Sequence, residues 1–319
     1  MPDGSTTLKP FDFALVREQL KELLQTIEEQ LKREVPKKIA EFGPGLPLCI
    51  LVPFRLARQT FDAIVYLCAN KVGEEPLPRP EFALVVPSLN RSILDSVMGL
   101  VFLLEDLPDR WMCFLKAGWR EMKLESGRLE KDFGDLATVK EWLENQRPLI
   151  EAGPSILGLS ASEAEAPETL PKWPHPGGMK RRAKGAVRTF LQRLDDLFYI
   201  DLSQQAHVSY LGVMKTGQHL LQIEEGDSEE RRERLKGYAS DQVFTAITLM
   251  LVLCSVLDER FQLGRGSQIR IPWSVVGEYW EPAKLLQEIR YAEPLFPASG
   301  TATKIVAPAA PLGDAKGSQ

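Results

Sequence analysis

The stretch VFTAITLMLVLCSVL, residues 243–257, decides the fold of this chain. It carries no charged residue, yet it falls short of the roughly 20 apolar residues that a membrane-spanning helix needs. It continues directly into Asp258, Glu259 and Arg260 on a helical pattern. A helix that is apolar around its whole circumference is typical of the centre of a globular protein. The stretch therefore predicts a buried core helix and favours it over a membrane span.

The neighbouring segments have helical patterns as well. SLNRSILDSVMGLVFLLED, residues 88–106, is apolar around most of its circumference and predicts a second central helix. Residues 11–34 repeat apolar side chains at steps of three and four, which predicts an amphipathic helix. Further helices are predicted over 54–71 and 111–131, each after a proline that suits the first helical turn. Because no alternating strand pattern is present, the sequence predicts an all-α multi-helix bundle with two largely buried central helices.

Two segments break the helical pattern. Residues 151–178 are rich in Gly, Pro, Ser and Glu and predict a long surface loop. Beyond Pro297 the composition is dominated by Ala, Gly, Pro and Ser, which predicts a disordered C-terminal tail. We therefore expect an N-terminal amphipathic helix and linker over 1–45, a helical-bundle core domain over 46–263, and a mostly irregular C-terminal extension over 264–319. Within the extension, EPAKLLQEIR, residues 281–290, predicts a short docked helix.

Composition limits the classes of function. The net charge of -5 and the pI near 5.5 argue against a dedicated nucleic-acid-binding protein. The 4 cysteines lie far apart in apolar segments without a CxxC pair, which predicts buried free thiols instead of zinc or redox chemistry. The N-terminal residues show no basic segment followed by an apolar one, as a secretory signal would. These features predict a cytoplasmic protein with no membrane partner.

Several catalytic motifs are missing from the sequence. The residues three before His175, His207 and His219 are not Glu, which argues against a di-iron site in a helical bundle. The sequence contains no HExxH, no GxxxxGKS/T and no GxGxxG. We therefore predict no metal site and no cofactor, and we expect neither a zinc protease, a P-loop NTPase nor a dinucleotide enzyme.

Two polar pairs lie within apolar helical sequence. Arg91 with Asp95, and Ser203 with His207, are each spaced four residues apart, so both members of a pair share one face of a helix. Tyr199 lies one turn before Ser203. Because a buried charge without a partner costs several kcal/mol, we expect the two pairs to meet inside the bundle as a polar cluster.

This polar cluster has two interpretations. The first is a structural network that fixes the register of the helices, which is the commoner role of buried ion pairs. The second is a catalytic pocket in which Arg91 stabilises negative charge and His207 transfers a proton. Asp95, Ser203 and Tyr199 would then be its binding residues.

A basic segment, KRRAKGAVRTFLQR, covers residues 180–193 without an acidic residue. Arg181, Arg182 and Arg188 are its candidate phosphate-binding residues. The alternative is a solvated start of a helix, which the acidic total of the chain favours.

NRSILDS, residues 90–96, and LSQQAH, residues 202–207, carry a resemblance to a known family. They are similar to the R-S-hydrophobic-hydrophobic-E helix and the later L-S-x-x-x-H element of an uncharacterised family of bacterial all-helical proteins of unknown function. The resemblance covers residues 55–261. It implies an all-helical fold in which Arg91 and His207 are characteristic positions. Asp95 departs from the family pattern, in which Glu is usual.

A more distant resemblance concerns activity. Helical ribonuclease toxins and defence proteins carry Arg and His four to six residues apart on one helix. Here Ser203 lies four residues before His207, so Arg91 would have to supply the positive charge from another helix.

These observations lead to two expectations about function. The first is a cytoplasmic bacterial binding or interaction module, with stress or phage defence as its setting. The alternative is a metal-independent ribonuclease that uses His207 as acid and base and Arg91 for phosphate charge. The expected partner is another protein, or a second copy of the chain held through the N-terminal helix; nucleic acid is less favoured.

Overall fold

The structure is a computed structural model that describes residues 13–43, 45–69, 83–206, 212–214, 217 and 229–296. The described residues contain no strand, so the predicted all-α fold is confirmed. The helices are α1 (Phe13–Arg33), α2 (Val35–Lys38), α3 (Gly45–Ala69), α4 (Val86–Glu105), α5 (Leu107–Phe133), α6 (Ala137–Leu157), α7 (Ala161–Glu165), α8 (Pro176–Arg182), α9 (Gly185–Leu194), α10 (Ile200–Ala206), α11 (Glu229–Phe261), α12 (Gly266–Tyr279) and α13 (Glu281–Ala292).

The described residues divide into two compact units. The first contains residues up to Glu105 together with those from Gly178 onward, and the second contains residues 106–177. The predicted boundaries near residues 45 and 263 do not coincide with this division. The reason is that α1 packs on α3, while α12 and α13 pack on α11, so both ends of the described chain belong to one core.

The predicted core helix lies at the centre of the first unit. Every residue of α11 from Ala246 to Cys254 is fully buried. This helix packs against α3 and α4. On α4, Ile93, Leu94 and Val97 are also fully buried, so α4 and α11 are the two largely buried central helices that the sequence predicts.

The apolar composition of α11 also suits a membrane helix by length and hydropathy. Lys236–Phe261 passes that test within the described part of the chain, and 83% of its apolar window is buried inside the protein. Core helices of soluble proteins pass the same test, so the composition is weak evidence for a membrane span.

The N-terminal helix α1 is amphipathic as predicted. Its buried residues are Val16, Leu20, Leu23, Leu24, Ile27 and Leu31, which recur at steps of three and four. At the edge of this stripe, Glu28 accepts hydrogen bonds from Arg55 Nε at 2.8 Å and from Arg58 Nη1 at 2.7 Å. The Lys32 ammonium lies 2.8 Å from the same carboxylate. These charges join α1 to α3.

The expectation of a mostly irregular extension over 264–319 is wrong for residues 266–279, which form α12. The short helix expected at 281–290 is present as α13. These helices are held by buried side chains. The Trp273 indole N–H donates to the carbonyl of Ala283 at 2.9 Å, and the Arg290 guanidinium lies 2.7 Å from the Glu259 carboxylate of α11. The sequence pattern misses α12 because its stability comes from contacts with α11 and α13.

The second unit is built on the pair α5 and α6. Trp119, Leu157 and Leu170 form its buried cluster. The Trp119 indole N–H donates to the carbonyl of Ile150 at 3.1 Å. Gly153 lies against the same ring, since a Cβ there would approach the indole to 2.1 Å. Close packing of the indole therefore explains a glycine inside a helix.

The predicted loop over 151–178 is more ordered than expected. Helix α6 continues to Leu157 and ends at Gly158, whose φ of 60° is the left-handed conformation that glycine favours. Ser160 and Glu163 then form a capping box at the start of α7. Irregular chain remains at 171–175. This segment therefore forms helices although its composition is typical of loops, because its helix ends are capped and Gly153 packs against Trp119.

Candidate functional site

Arg91 and Asp95 form the predicted pair on α4. Arg91 Nε donates to Asp95 Oδ1 at 3.0 Å. The Arg91 side chain is only 12% exposed, whereas that of Asp95 is 47% exposed. The expectation of an interior cluster is therefore wrong for Asp95, because this position faces solvent while Ile93, Leu94 and Val97 face the core.

Tyr199 provides a second partner for Arg91. The guanidinium carbon lies 3.5 Å from the centre of the Tyr199 ring, a close cation–π contact. The structure thus brings together two predicted site residues from separate helical segments. The guanidinium keeps one buried donor, Nη1, without a hydrogen-bond partner in the described part of the chain.

Ser203 and His207 complete the predicted set. Ser203 is half-buried on α10, one turn after Tyr199, and makes no hydrogen bond with Arg91 or Asp95 among the described residues. His207 lies outside the described residues. The structure therefore leaves the predicted meeting of Arg91 with His207 as a prediction.

A π-helical turn positions Tyr199 and the residues around it. Asp195–Tyr199 adopt π geometry between α9 and α10, and the N–H of Ile200 donates to the carbonyl of Asp195. Such a turn adds one residue to the helix and rotates the side chains that follow. A prediction that continues the regular helical spacing of α9 into α10 therefore assigns the side chains of α10 to the wrong faces of the helix.

The candidate basic residues lie on the surface. Arg181 and Arg182 are exposed in the last turn of α8, and Arg188 is exposed in α9. Beside them, the Lys180 ammonium pairs with the buried Asp195 carboxylate. The placement fits a solvated helix start, and the phosphate-binding role stays a prediction.

A cleft of about 380 Å³ lies in the first unit, beside α10 and α11. Residues of the π turn and α10 line it together with residues of α11. Trp280, between α12 and α13, and Pro282 of α13 complete the lining. The lining residues are Leu197, Phe198, Asp201, Leu202, Gln205, Tyr238, Asp241, Gln242, Thr245, Trp280 and Pro282. This volume lies within the range of small-molecule sites.

Three polar side chains of the cleft form a continuous hydrogen-bonded chain. The Tyr238 hydroxyl donates to Gln205 Oε1 at 2.6 Å, and Gln205 Nε2 donates to Asp201 Oδ2 at 2.5 Å. Burial, and then the negative charge of Asp201, raise the pKa of Tyr238 well above its usual range. The tyrosine is therefore a neutral donor at physiological pH.

Asp241 and Trp280 form a second polar contact in the cleft. Burial raises the pKa of Asp241, while a hydrogen bond from the Trp280 side chain opposes this rise. The Trp280 ring lies nearly parallel to those of Phe198 and Phe244, with centroids 6.0 and 6.1 Å away. A carboxylate thus lies at the edge of an aromatic cluster.

Asn90 joins this cleft to α4. Its side-chain amide nitrogen donates to the carbonyl of Gln242 at 2.9 Å and to Gln242 Oε1 at 3.0 Å. Asn90 is fully buried and precedes Arg91 in the chain. The helix that carries the predicted pair therefore also supports the wall of the cleft.

Sequence reasoning missed the cleft residues although their spacing was visible. Asp201 and Gln205 are four residues apart, as are Tyr238 and Gln242, and Asp241 and Thr245. Each of these pairs shares a helix face. In this segment the sequence pattern favoured Ser203 and His207 instead. Polar residues repeated at this spacing on two separate helices were the available indication.

Among the described residues, no group of three or more His, Cys, Asp or Glu side chains is placed to hold a metal ion. Comparison with known proteins yields no match to a family model, to a curated protein or to a solved structure. The resemblance to an uncharacterised bacterial family therefore stays a prediction.

Proposed function

We propose that the chain is a binding module whose ligand site is the cleft beside α10 and α11. One observation carries the proposal: a cleft of about 380 Å³ combines an ordered polar chain with an aromatic cluster. Ligand sites are typically concave, largely apolar and equipped with a few fixed polar groups. The cleft has each of these features.

The binding role takes precedence over the ribonuclease alternative because of Arg91. A ribonuclease of the proposed kind needs this guanidinium to meet a phosphate, yet it already contacts Tyr199 and Asp95. The cleft itself contains acidic lining residues, which disfavour a phosphate ligand there. The cytoplasmic location and the setting in bacterial stress or phage defence are proposals that rest on the sequence.

Ligand-observed NMR tests the proposal with a library that contains equal numbers of cationic, neutral and anionic small molecules. We expect several compounds to bind the wild-type protein. In the variant Leu197→Trp, the larger side chain fills the cleft, so we expect the same compounds to lose binding.

Ile200→Trp is the matched control. Ile200 is exposed in the same helical region and does not line the cleft, so the added indole leaves the site open. Binding in this variant should equal that of the wild type. A library without any binder, or binders that persist with Leu197→Trp, would contradict the proposed site.

A further inference from the structure

We propose that the cleft binds small organic ammonium ions, with Asp241 binding the ammonium group and the neighbouring rings of Phe198 and Trp280 contacting the apolar part of the ligand. This inference rests on the proposed function, because it names the chemical class that the same cleft would bind.

The charges of the cleft select the sign of the ligand. Two of its lining residues, Asp201 and Asp241, are acidic, and none of the described lining residues is Lys, Arg or His. An anion placed among these residues would meet repulsion in a partly desolvated space, where electrostatic interactions are stronger than in water. A cation would meet attraction from the same groups.

Asp241 has the capacity and the access to bind an ammonium group. A carboxylate has about four lone-pair sites for hydrogen bonds, and the described contact to its side chain is the one from Trp280. The residue is exposed at the cleft, so a ligand reaches it without unfolding the wall. An ammonium group supplies only donors, which complement a carboxylate.

The apolar residues of the cleft match the apolar part of such a ligand. Phe198 and Trp280 line it together with Leu197, Leu202 and Pro282. Aromatic rings attract cations as well as apolar groups, since the face of the ring carries partial negative charge. An acidic group beside aromatic rings therefore fits an organic cation better than a neutral ligand or an inorganic ion.

Isothermal titration calorimetry with three probes of similar shape tests the inference. The probes are phenethylammonium, 2-phenylethanol and 3-phenylpropanoate, which differ in the charge at one end. We expect phenethylammonium to bind about tenfold more tightly than the alcohol, as a charge-assisted hydrogen bond predicts. We expect no saturable binding of 3-phenylpropanoate.

Two variants assign the effect to Asp241. Asp241→Asn keeps the shape and removes the charge, so we expect the Kd for phenethylammonium to rise about tenfold. Asp241→Glu keeps the charge and should retain most of the affinity, which separates charge from a folding defect. Asp196→Asn is the matched control, since Asp196 is an exposed carboxylate that does not line the cleft, and its Kd should equal that of the wild type.

The outcomes separate the ligand class from the site. If the alcohol or the carboxylate binds as tightly as phenethylammonium, and Leu197→Trp removes that binding, the ammonium class is overturned and the cleft remains a site. If Asp241→Asn binds phenethylammonium as the wild type does, the role of Asp241 is overturned. If none of the three probes binds, the ammonium class is overturned, and failure of the library as well overturns the site.

Discussion

The two halves of α11 differ in the surroundings of their polar residues. Toward its C-terminus, Ser255 and Glu259 meet Arg290 of α13 in a closed network inside the protein. Toward its N-terminus, Tyr238 and Asp241 line a cleft. The two sets lie at opposite ends of the apolar run of this helix. In the first the protein supplies the partners, and in the second space remains for a ligand.

The closed network satisfies Arg290 in detail. Arg290 Nε donates to the Ser255 hydroxyl at 2.9 Å, and Nη2 donates to the Ser255 carbonyl at 2.8 Å and lies 2.7 Å from the Glu259 carboxylate. The other oxygen of Glu259 accepts the N–H of Phe296 at 2.8 Å. Polar residues at the ends of the apolar run therefore indicate a ligand site only where the protein leaves them accessible.

Arg290→Met should produce the largest loss of stability, because it breaks the closed network. Arg290 is only 2% exposed, and its removal leaves the Glu259 carboxylate partly buried without its cation. Breaking a buried pair in this way costs about 3–5 kcal/mol, and the exposure of Glu259 at 23% favours the lower end.

Urea unfolding at neutral pH measures this loss. Arg193→Met is the control, since its pair with Asp196 is 3.8 Å long and solvent-exposed, and it should change the free energy of unfolding by less than about 0.5 kcal/mol. If the two variants were equally stable, the network around Arg290 would not stabilise the C-terminal half of α11, and the contrast between the two halves would be wrong.

Asn90→Leu should have an intermediate effect, because Asn90 supports the cleft wall from the buried side. The substitution removes both hydrogen bonds to Gln242. The side-chain oxygen of Asn90 already has no partner among the described residues, so leucine also relieves an unfavourable burial. We expect a net loss of about 1–2 kcal/mol in urea unfolding.

Ser92→Ala is the matched control for Asn90 on the same helix. Ser92 is exposed, and its alanine variant should stay within about 0.5 kcal/mol of the wild type. A loss of stability in Asn90→Leu no larger than that of Ser92→Ala would show that the cleft wall does not depend on α4.

The fold was predictable from sequence where burial alone determines structure. The apolar circumference of residues 243–257 and the stripe of α1 each specify a helix and its buried face. Helix α12 was not predictable in this way, because Trp273 stabilises it through a hydrogen bond to Ala283 of the next helix. Helix α13 was expected as a short helix at 281–290, but the sequence did not indicate its contact with Ser255 through Arg290.

The candidate site was predictable only in part. The spacing of Arg91 and Asp95 predicted their pairing, and Tyr199 was placed among the same residues. The π turn before α10 was not visible, because it depends on backbone hydrogen bonding and not on residue type. Because the π turn rotates α10, the sequence alone did not show that the side chains of Asp201 and Gln205 lie on the face of α10 toward α11.

Glu28 resembles the closed network in that its carboxylate is paired with cations. Its partners, however, are partly exposed to solvent. Burial raises its pKa, yet Lys32, Arg55 and Arg58 together lower it from 4.5 to about 2. The folded-state value is the lower one, so the stabilisation is fully present above about pH 4.5 and is lost as the pH falls toward 2. Because Arg55 is nearly half exposed, solvent screening reduces the contribution to about 1–2 kcal/mol.

Glu28→Gln measures this contribution. The variant should lose about 1–2 kcal/mol at pH 7, and the difference from the wild type should shrink between pH 4.5 and 2. Glu18→Gln, at an exposed pair with Lys21, should show little difference at any pH. A constant difference for Glu28→Gln across this range would contradict the lowered pKa.

Tyr238→Phe should produce the smallest loss, because it removes a hydrogen bond at the open end of α11. The hydroxyl donates to Gln205 at 2.6 Å, but the cleft lets water replace it as the donor. We expect a loss of about 0.5–1 kcal/mol in urea unfolding, with exposed Tyr66→Phe unchanged as the control. A loss of stability close to that of Arg290→Met would mean that water cannot reach the Tyr238 hydroxyl, as it cannot reach the buried Arg290 guanidinium. The N-terminal half of α11 would then be a second structural network, with no space for a ligand.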